Sequence, residues 1–326
     1  MTRPLVERFA CLGYDAATCA ALEVEIAEVR ELKRDRRAVV LAHSYQRPEL
    51  FEIADFVGDS LELAREASWI KDRADVIVFC GVHFMAEMAK ILSPERRVLL
   101  PNLAAGCSLA DFATAEAVTA RAAELRREIP DLAVVSYVNT TAAVKAVSDV
   151  CVTSANAARV VERLPNSAVL FLPDRNLAAW VAKQTKKRVI SWDGDCCVHA
   201  ELWPAEVLSL KEAHPAARVL AHPECRAEVL ALADEALSTS GMMRAVRESK
   251  TEEFILVTER GVADKLTIEY PDRRFYSPCG YCKYMKLITL PDTRACLENL
   301  SPEITVPVEL MEKARAALTR MLELSA

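Results

Sequence analysis

A chain of 326 residues with 52% hydrophobic and 27% charged side chains has the composition of a well-packed soluble protein. Its net charge of −6, with no basic block longer than KDR or KKR, sets aside nucleic acid as a partner, and no apolar run approaches the ~20 residues of a membrane helix. The N-terminal stretch MTRPLVERFACLGYDAATCA lacks a signal-peptide pattern, and eleven scattered cysteines read as thiols and metal ligands rather than a disulfide framework; the expected compartment is the cytoplasm.

In chain order, ALEVEIAEVRELKRDRR, from about Ala17 to Arg36, carries apolar residues at helical spacing and predicts a helix. VVLAH reads as a short buried strand. ELFEIADFVGDSLELAREASWIKD reads as two short helices broken at Gly58, VIVFC as a strand and HFMAEMAKILS as a helix. Strands alternate with helices to the end, where PVELMEKARAALTRMLELSA is an amphipathic helix. That alternation predicts parallel sheets covered by helices on both faces, with ligands at the carboxyl ends of the strands.

The chain also repeats itself. Three segments each run as a strand with a polar tip, a helix opening on Ser or Thr, a second strand, and a third strand ending at Cys. The tips are VVLAHSYQ with His43, AVVSYVNTT with Tyr137 and RVLAHPEC with His222. Seventeen residues after each come Ser60, Ser154 and Thr239. The closing strands reach Cys107, Cys196 and Cys282, the last two standing seven residues after Val189 and Phe275. A repeat fixes architecture more firmly than any local motif. It predicts three α/β domains over 1–110, 111–199 and 200–283, with a C-terminal helix over 284–326 packing back on the first.

Any one of these cysteines read alone is a buried thiol. Their shared register points instead to three thiolates converging on a soft metal or an iron–sulfur cluster, with one metal position left open. Cys197 and Cys279 are neighbours that compete for the ligand role, and CGYC alone would also suit a redox disulfide or half a zinc site. The tips pair His43 with Tyr45, Tyr137 with Asn139 and His222 with Glu224, three sets of groups suited to acid–base work. Ser60, Ser154 and Thr239 read equally as helix N-caps or as contacts to an anion at a helix start. No Walker or G-x-G-x-x-G sequence supports a nucleotide site.

The ordered segments LAHSYQ, ADFVGDSLELA, GVHFMAEMAKIL, AAGCSLAD, YVNTTAAVKA, TSANA, GDCCVH, AHPEC, STSGM and CKYMK, over about residues 40–290, resemble the quinolinate synthase family. The resemblance implies three α/β/α three-layer sandwich domains around a pseudo-threefold axis. It implies a [4Fe–4S] cluster on Cys107, Cys196 and Cys282. It implies condensation of iminoaspartate with dihydroxyacetone phosphate to quinolinate, phosphate and water, a step of NAD biosynthesis. The family's catalytic residues fall on His43, Tyr45, Tyr137, His199, His222 and Glu224. Its substrate-holding residues fall on Ser60, Asn139, Ser154 and Thr239, with His43, Tyr137, His222 and Glu224 shared. Leu237 stands where that pattern has Gly, which puts the path of the third anion loop in question. The implied partners are the two small substrates, together with a transient contact to an enzyme that produces iminoaspartate. A different cluster-dependent hydro-lyase on a polyanion stays as a second reading, and a thiol or metal redox sensor as a reading of another class.

Overall fold

The computed structural model describes residues 3–70 and 73–325. Its framework is three four-stranded parallel sheets of the same topology. The first holds β1 (Ala38–His43), β2 (Phe56–Gly58), β3 (Val76–Cys80) and β4 (Arg97–Leu99) in the order β2-β1-β3-β4. The second repeats that order with β5 (Ala133–Tyr137), β6 (Val150–Val152), β7 (Ala168–Leu172) and β8 (Arg188–Ser191). The third repeats it with β9 (Arg218–Ala221), β10 (Glu235–Ala236), β11 (Glu253–Val257) and β12 (Arg274–Tyr276). Helices fill the connections, so the α/β/α plan read from the repeat is present three times.

The sequence accounts for the layering. VIVFC, AVLFL and most of EFILV are continuous apolar runs, and each is buried along its length. Such strands belong in the middle of a parallel sheet, where both faces are covered. In every unit the first strand has its successor on one side and the third strand on the other. The chain therefore leaves in opposite directions around the first strand, and a crevice opens at its carboxyl end. That end carries His43, Tyr137 or His222.

Two details differ from the sequence reading. Each unit has four strands, not three: FVG, VCV and EA pair beside the first strand as β2, β6 and β10. Gly58 therefore ends a strand instead of breaking a helix. Strands of two or three residues carry too little periodicity to be read from sequence. The tail is also two helices, Leu290–Asn299 and Val308–Leu324. The first lies on the helix Ala16–Asp35 and on β3, returning to the first unit; the second lies mainly against the helix Ala142–Ala146 and β6 of the second unit.

A second repeat emerges from the hydrogen bonds. Asp55, Asp149 and Asp234 each stand fifteen residues after a residue of the first strand, at Val40, Val134 and Val219. Each carboxylate accepts that residue's N–H at 2.7 Å. Each aspartate N–H returns a bond to the same residue's carbonyl at 2.9 Å. This reciprocal clamp fixes the crossover between first and second strands, and so sets where the following helix begins relative to the strand tip. Asp234→Ala should lower stability by about 1–2 kcal/mol, the scale of a charged hydrogen bond whose donor is left unpaired. Urea unfolding of the variant measures it, and an unchanged midpoint would show the clamp to be incidental.

Candidate active site

The three crevices meet in one cavity of about 620 Å³. The strand ends contribute His43 and Tyr45, Tyr137 and Asn139, and His222 and Glu224. The segments after the second strands contribute Ser60, Ser154 and Thr239. The segments after the fourth strands contribute Cys107, Cys196 and Cys282, with His199 one turn beyond Cys196. All thirteen residues that the sequence singled out therefore line a single space, beside apolar walls from Val82, Phe84, Met85 and Met285.

Glu224 is the hub. One carboxylate oxygen accepts the Tyr137 hydroxyl at 2.6 Å, and the other lies 2.8 Å from His199 Nδ1 and 3.8 Å from His222 Nδ1. The His199 and His222 rings stack with centroids 4.6 Å apart. His222 Nε2 reaches Ser154 Oγ at 3.2 Å. On the other side, Thr239 Oγ1 donates to the Tyr45 hydroxyl at 3.2 Å, and the His43 and Tyr45 rings meet edge to face at 4.6 Å.

Burial sets the proton inventory. It pushes the Tyr45 and Tyr137 phenols well above their usual value, with the Glu224 charge adding to it. It pulls His43 and His222 down to about 3, so both imidazoles are neutral near pH 7. For Glu224 burial acts upward, but His222, His199 and the hydrogen bonds from His199 and Tyr137 outweigh it and hold the carboxyl below its usual range. The cavity therefore offers one ionised acceptor together with two neutral phenols, Tyr45 and Tyr137, and two neutral imidazoles, His43 and His222.

The thiols behave as a set. None of the three is in a disulfide. Burial pushes Cys107 up to about 12, and the neighbouring Cys282 adds to the rise. Burial also raises Cys196, with Glu224 and Cys107 contributing, and it raises Cys282. Three buried thiols that line one cavity with a carboxylate hold their protons unless a cation replaces them. The donor set fits a thiolate-bound cluster with one site free. Cys196, His199 and Glu224 also bring ligand atoms within 4.8 Å of one another. Glu224 is committed there to Tyr137 as well, and Cys107 and Cys282 face the same space. Cys197 and Cys279 do not line the cavity; Cys279 is buried in the third unit's core with Cys225.

The helix starts correct the sequence reading. Ser60 and Thr239 are first helical residues, and the caps are their predecessors. Asp59 accepts the Leu61 and Glu62 N–H groups, and Ser238 accepts that of Gly241. Ser154 precedes the helix Ala157–Arg163 by three residues and lies in the turn leading to it. Adjacent residues that cap equally well cannot be ranked from sequence, but the outcome leaves all three hydroxyls free of capping. Leu237, in the Gly position, is not in the left-handed region, and its N–H donates to the Ala221 carbonyl at 2.9 Å. The loop accommodates it without strain.

Thr258 escaped the sequence reading. Thr258, fully buried just past β11, has its hydroxyl 2.8 Å from Tyr45 Oη and 3.0 Å from His199 Nε2. It joins a group of the first unit to the second unit's His199. Its only signal was a polar residue closing an apolar strand, EFILVT. Thr258→Val keeps the shape and strands the two partners; it should cost about 1–3 kcal/mol, and Thr258→Ser should restore most of it. Equal melting temperatures for the wild type and the valine variant would remove Thr258 from the network.

Fold and site together define a single-chain α/β enzyme of three repeated units with a three-thiol, acid–base cavity between them. The profile of the family described as "Quinolinate synthetase A protein" matches residues 27–323. The quinolinate synthase of Desulforudis audaxviator is 51% identical over 302 residues, covering 92% of this chain and 98% of that protein. That of Geobacter metallireducens is 50% identical over 297 residues, covering 90% and 96%. Quinolinate synthase 2 of Methanosarcina acetivorans is 48% identical over 300 residues, covering 91% and 95%. The chain belongs to the quinolinate synthetase A family. No helix among the described residues is long and apolar enough to cross a membrane.

Proposed function

We propose that this protein is a quinolinate synthase of NAD biosynthesis, joining iminoaspartate to dihydroxyacetone phosphate with release of phosphate and two waters. The observation that carries the reading is the convergence in one cavity of the thirteen positions to which the resemblance assigns catalytic, substrate-holding or thiol-ligand roles. Cys107, Cys196 and Cys282 would hold a [4Fe–4S] cluster. When bound, its open iron supplies Lewis-acid assistance to loss of a substrate hydroxyl as water.

The chain's own groups fall into roles by charge and reach. Asn139 Oδ1 is buried without a partner among the described residues, a polar atom placed for a ligand. With Ser60, Ser154 and Thr239 it would hold the carboxylates and the phosphate. Glu224 is the ionised base for the proton beside the triose carbonyl, and Tyr137, already donating to it, returns a proton to the departing oxygen. Tyr45, aligned by Thr239 and Thr258, is the neutral donor on the opposite wall. His43 and His222, held neutral, donate hydrogen bonds without adding charge. The low exposure of these groups keeps water from the imine before the ring closes. Because an imine hydrolyses readily in water, the reading includes a transient contact with the enzyme that produces iminoaspartate.

Anaerobic reconstitution should load about four irons per chain, and mass spectrometry should detect quinolinate when both substrates are supplied. Zinc, or no metal, with no product would overturn the assignment. Cys107→Ser, Cys196→Ser and Cys282→Ser should each lose the cluster, while Cys197→Ser keeps it. Tyr137→Phe and Glu224→Gln should keep the cluster and lose activity by about 10²–10⁴.

The three hydroxyls allow a separate check. Since Asp59 and Ser238 do the capping, Ser60→Ala and Thr239→Ala should leave the melting temperature nearly unchanged, whereas a lost cap costs about 0.5–2 kcal/mol. Calorimetric titration with quinolinate should instead show clearly weaker binding in both variants and in Ser154→Gly. Wild-type affinity in all three would place the anion contacts elsewhere in the cavity.

A further inference from the structure

Outside the cavity lies a cleft of about 1170 Å³ whose walls come from all three units' helix starts. Asp59 and Ser154 line both spaces, so they form the partition between them. Three arginines line the outer cleft: Arg65, Arg159 and Arg244. Each stands five residues after a hydroxyl of the inner cavity, at Ser60, Ser154 and Thr239. They are therefore equivalent positions of the repeat, each in the helix that starts at or after the hydroxyl. Two carboxylates share the cleft, and both are committed locally. Asp59 caps its helix and accepts the Ser238 hydroxyl, while Glu62 accepts the Asp59 N–H and the Ser240 hydroxyl. Among the described residues, Arg65 and Arg244 have no carboxylate within ion-pair distance, and Arg159 donates to the Ser325 carbonyl at 2.7 Å. On a chain of net charge −6, three aligned guanidinium groups at one recess are not a general surface property.

We propose that Arg65, Arg159 and Arg244 form a cationic ring that recruits small carboxylate- and phosphate-bearing anions into the cleft and delivers them past Asp59 and Ser154 to the inner cavity. This rests on the reading that the inner site takes polyanionic substrates. A recess lined by one sign of charge concentrates counter-ions and raises association rates by about 10–10³. Arginine at three equivalent positions treats an anion alike from each side, so the ring guides without selecting an orientation. Selection falls to the unlike groups within. Leu237 and Trp180 line the same cleft and give it apolar walls that sharpen the field.

The test uses the cluster-loaded protein. Stopped-flow association of quinolinate should slow about tenfold in R65Q/R159Q/R244Q at low salt and lose most of its dependence on ionic strength. R65K/R159K/R244K should recover the rate, since charge and not the planar fork does the work. Unchanged rate and salt slope in the glutamine variant would overturn the proposal. A second arm is independent of the reaction. Trp180 lies in the cleft, so iodide should quench the fluorescence that W180F removes more effectively than neutral acrylamide does, and the glutamine variant should abolish the difference. Equal quenching in wild type and variant would also overturn the ring. If wild type neither binds nor makes quinolinate, the reading of the inner site fails, and the iodide arm still decides whether the cleft gathers anions.

Discussion

Glu224 is a carboxylate with 3% of its surface exposed, and the meeting of two units depends on it. An ion buried without partners would cost several kcal/mol. This one is matched by Tyr137 from the end of β5, His199 from the loop after β8, and its own neighbour His222 after β9. The charge is therefore satisfied only when the second and third units meet in one arrangement. The contacts that make the ion tolerable also make it useful. Under the proposed function, donors already aimed at a fixed carboxylate form a proton-transfer array that needs no reorganisation when substrate arrives.

The seam between first and third units follows the same rule. Glu259, fully buried, accepts the Cys282 N–H at 3.0 Å and the Gly261 N–H at 2.6 Å, and lies 3.2 Å from Lys286 Nζ. Burial raises its carboxyl, and Lys286 with the two amides opposes the rise. Lys286 also donates to the carbonyls of Tyr45 and Gln46 in the loop after β1. One buried pair thus fixes a thiol of the third unit against a phenol of the first. Thr258, the residue before Glu259, ties that same phenol to His199. The end of β11 serves all three units, although no residue of the strand itself lines the cavity.

The parts of this architecture that repeat were legible in the sequence. The seventeen-residue interval located three strand tips and three hydroxyls because a fixed crossover length separates them. The fifteen-residue interval to Asp55, Asp149 and Asp234 was equally regular, yet a surface aspartate before an apolar run looks like an ordinary turn. Only the paired bonds reveal the clamp. Caps went to the wrong neighbour at Asp59–Ser60 and Ser238–Thr239, where two good caps adjoin and the choice turns on backbone angles. Thr258, Glu259 and Lys286 were illegible for a different reason. Each acts across a boundary between units, and no local period encodes a contact between residues 45 and 286.

The distribution of sameness around the axis explains why the three units share one chain. The aspartate clamps and the arginines are identical at equivalent positions, and the thiols serve one per unit. The strand tips are not: His43 with Tyr45, Tyr137 with Asn139, and His222 with Glu224 occupy one register. Holding a register is a task that symmetry serves well, and under the proposals above so are gathering anions and binding a cluster from three sides. Moving a proton is not, because it needs a donor facing an acceptor of different affinity. Three identical units would place three glutamates together, and their mutual repulsion would force protons onto them and erase the base. Joining the units covalently lets each tip diverge, so that one carboxylate shares the cavity with two phenols and two imidazoles from the tips and with His199 from the loop after β8. Apart from His199, the asymmetry that the proposed chemistry requires is confined to the tips, and the symmetric scaffold beneath them remains intact.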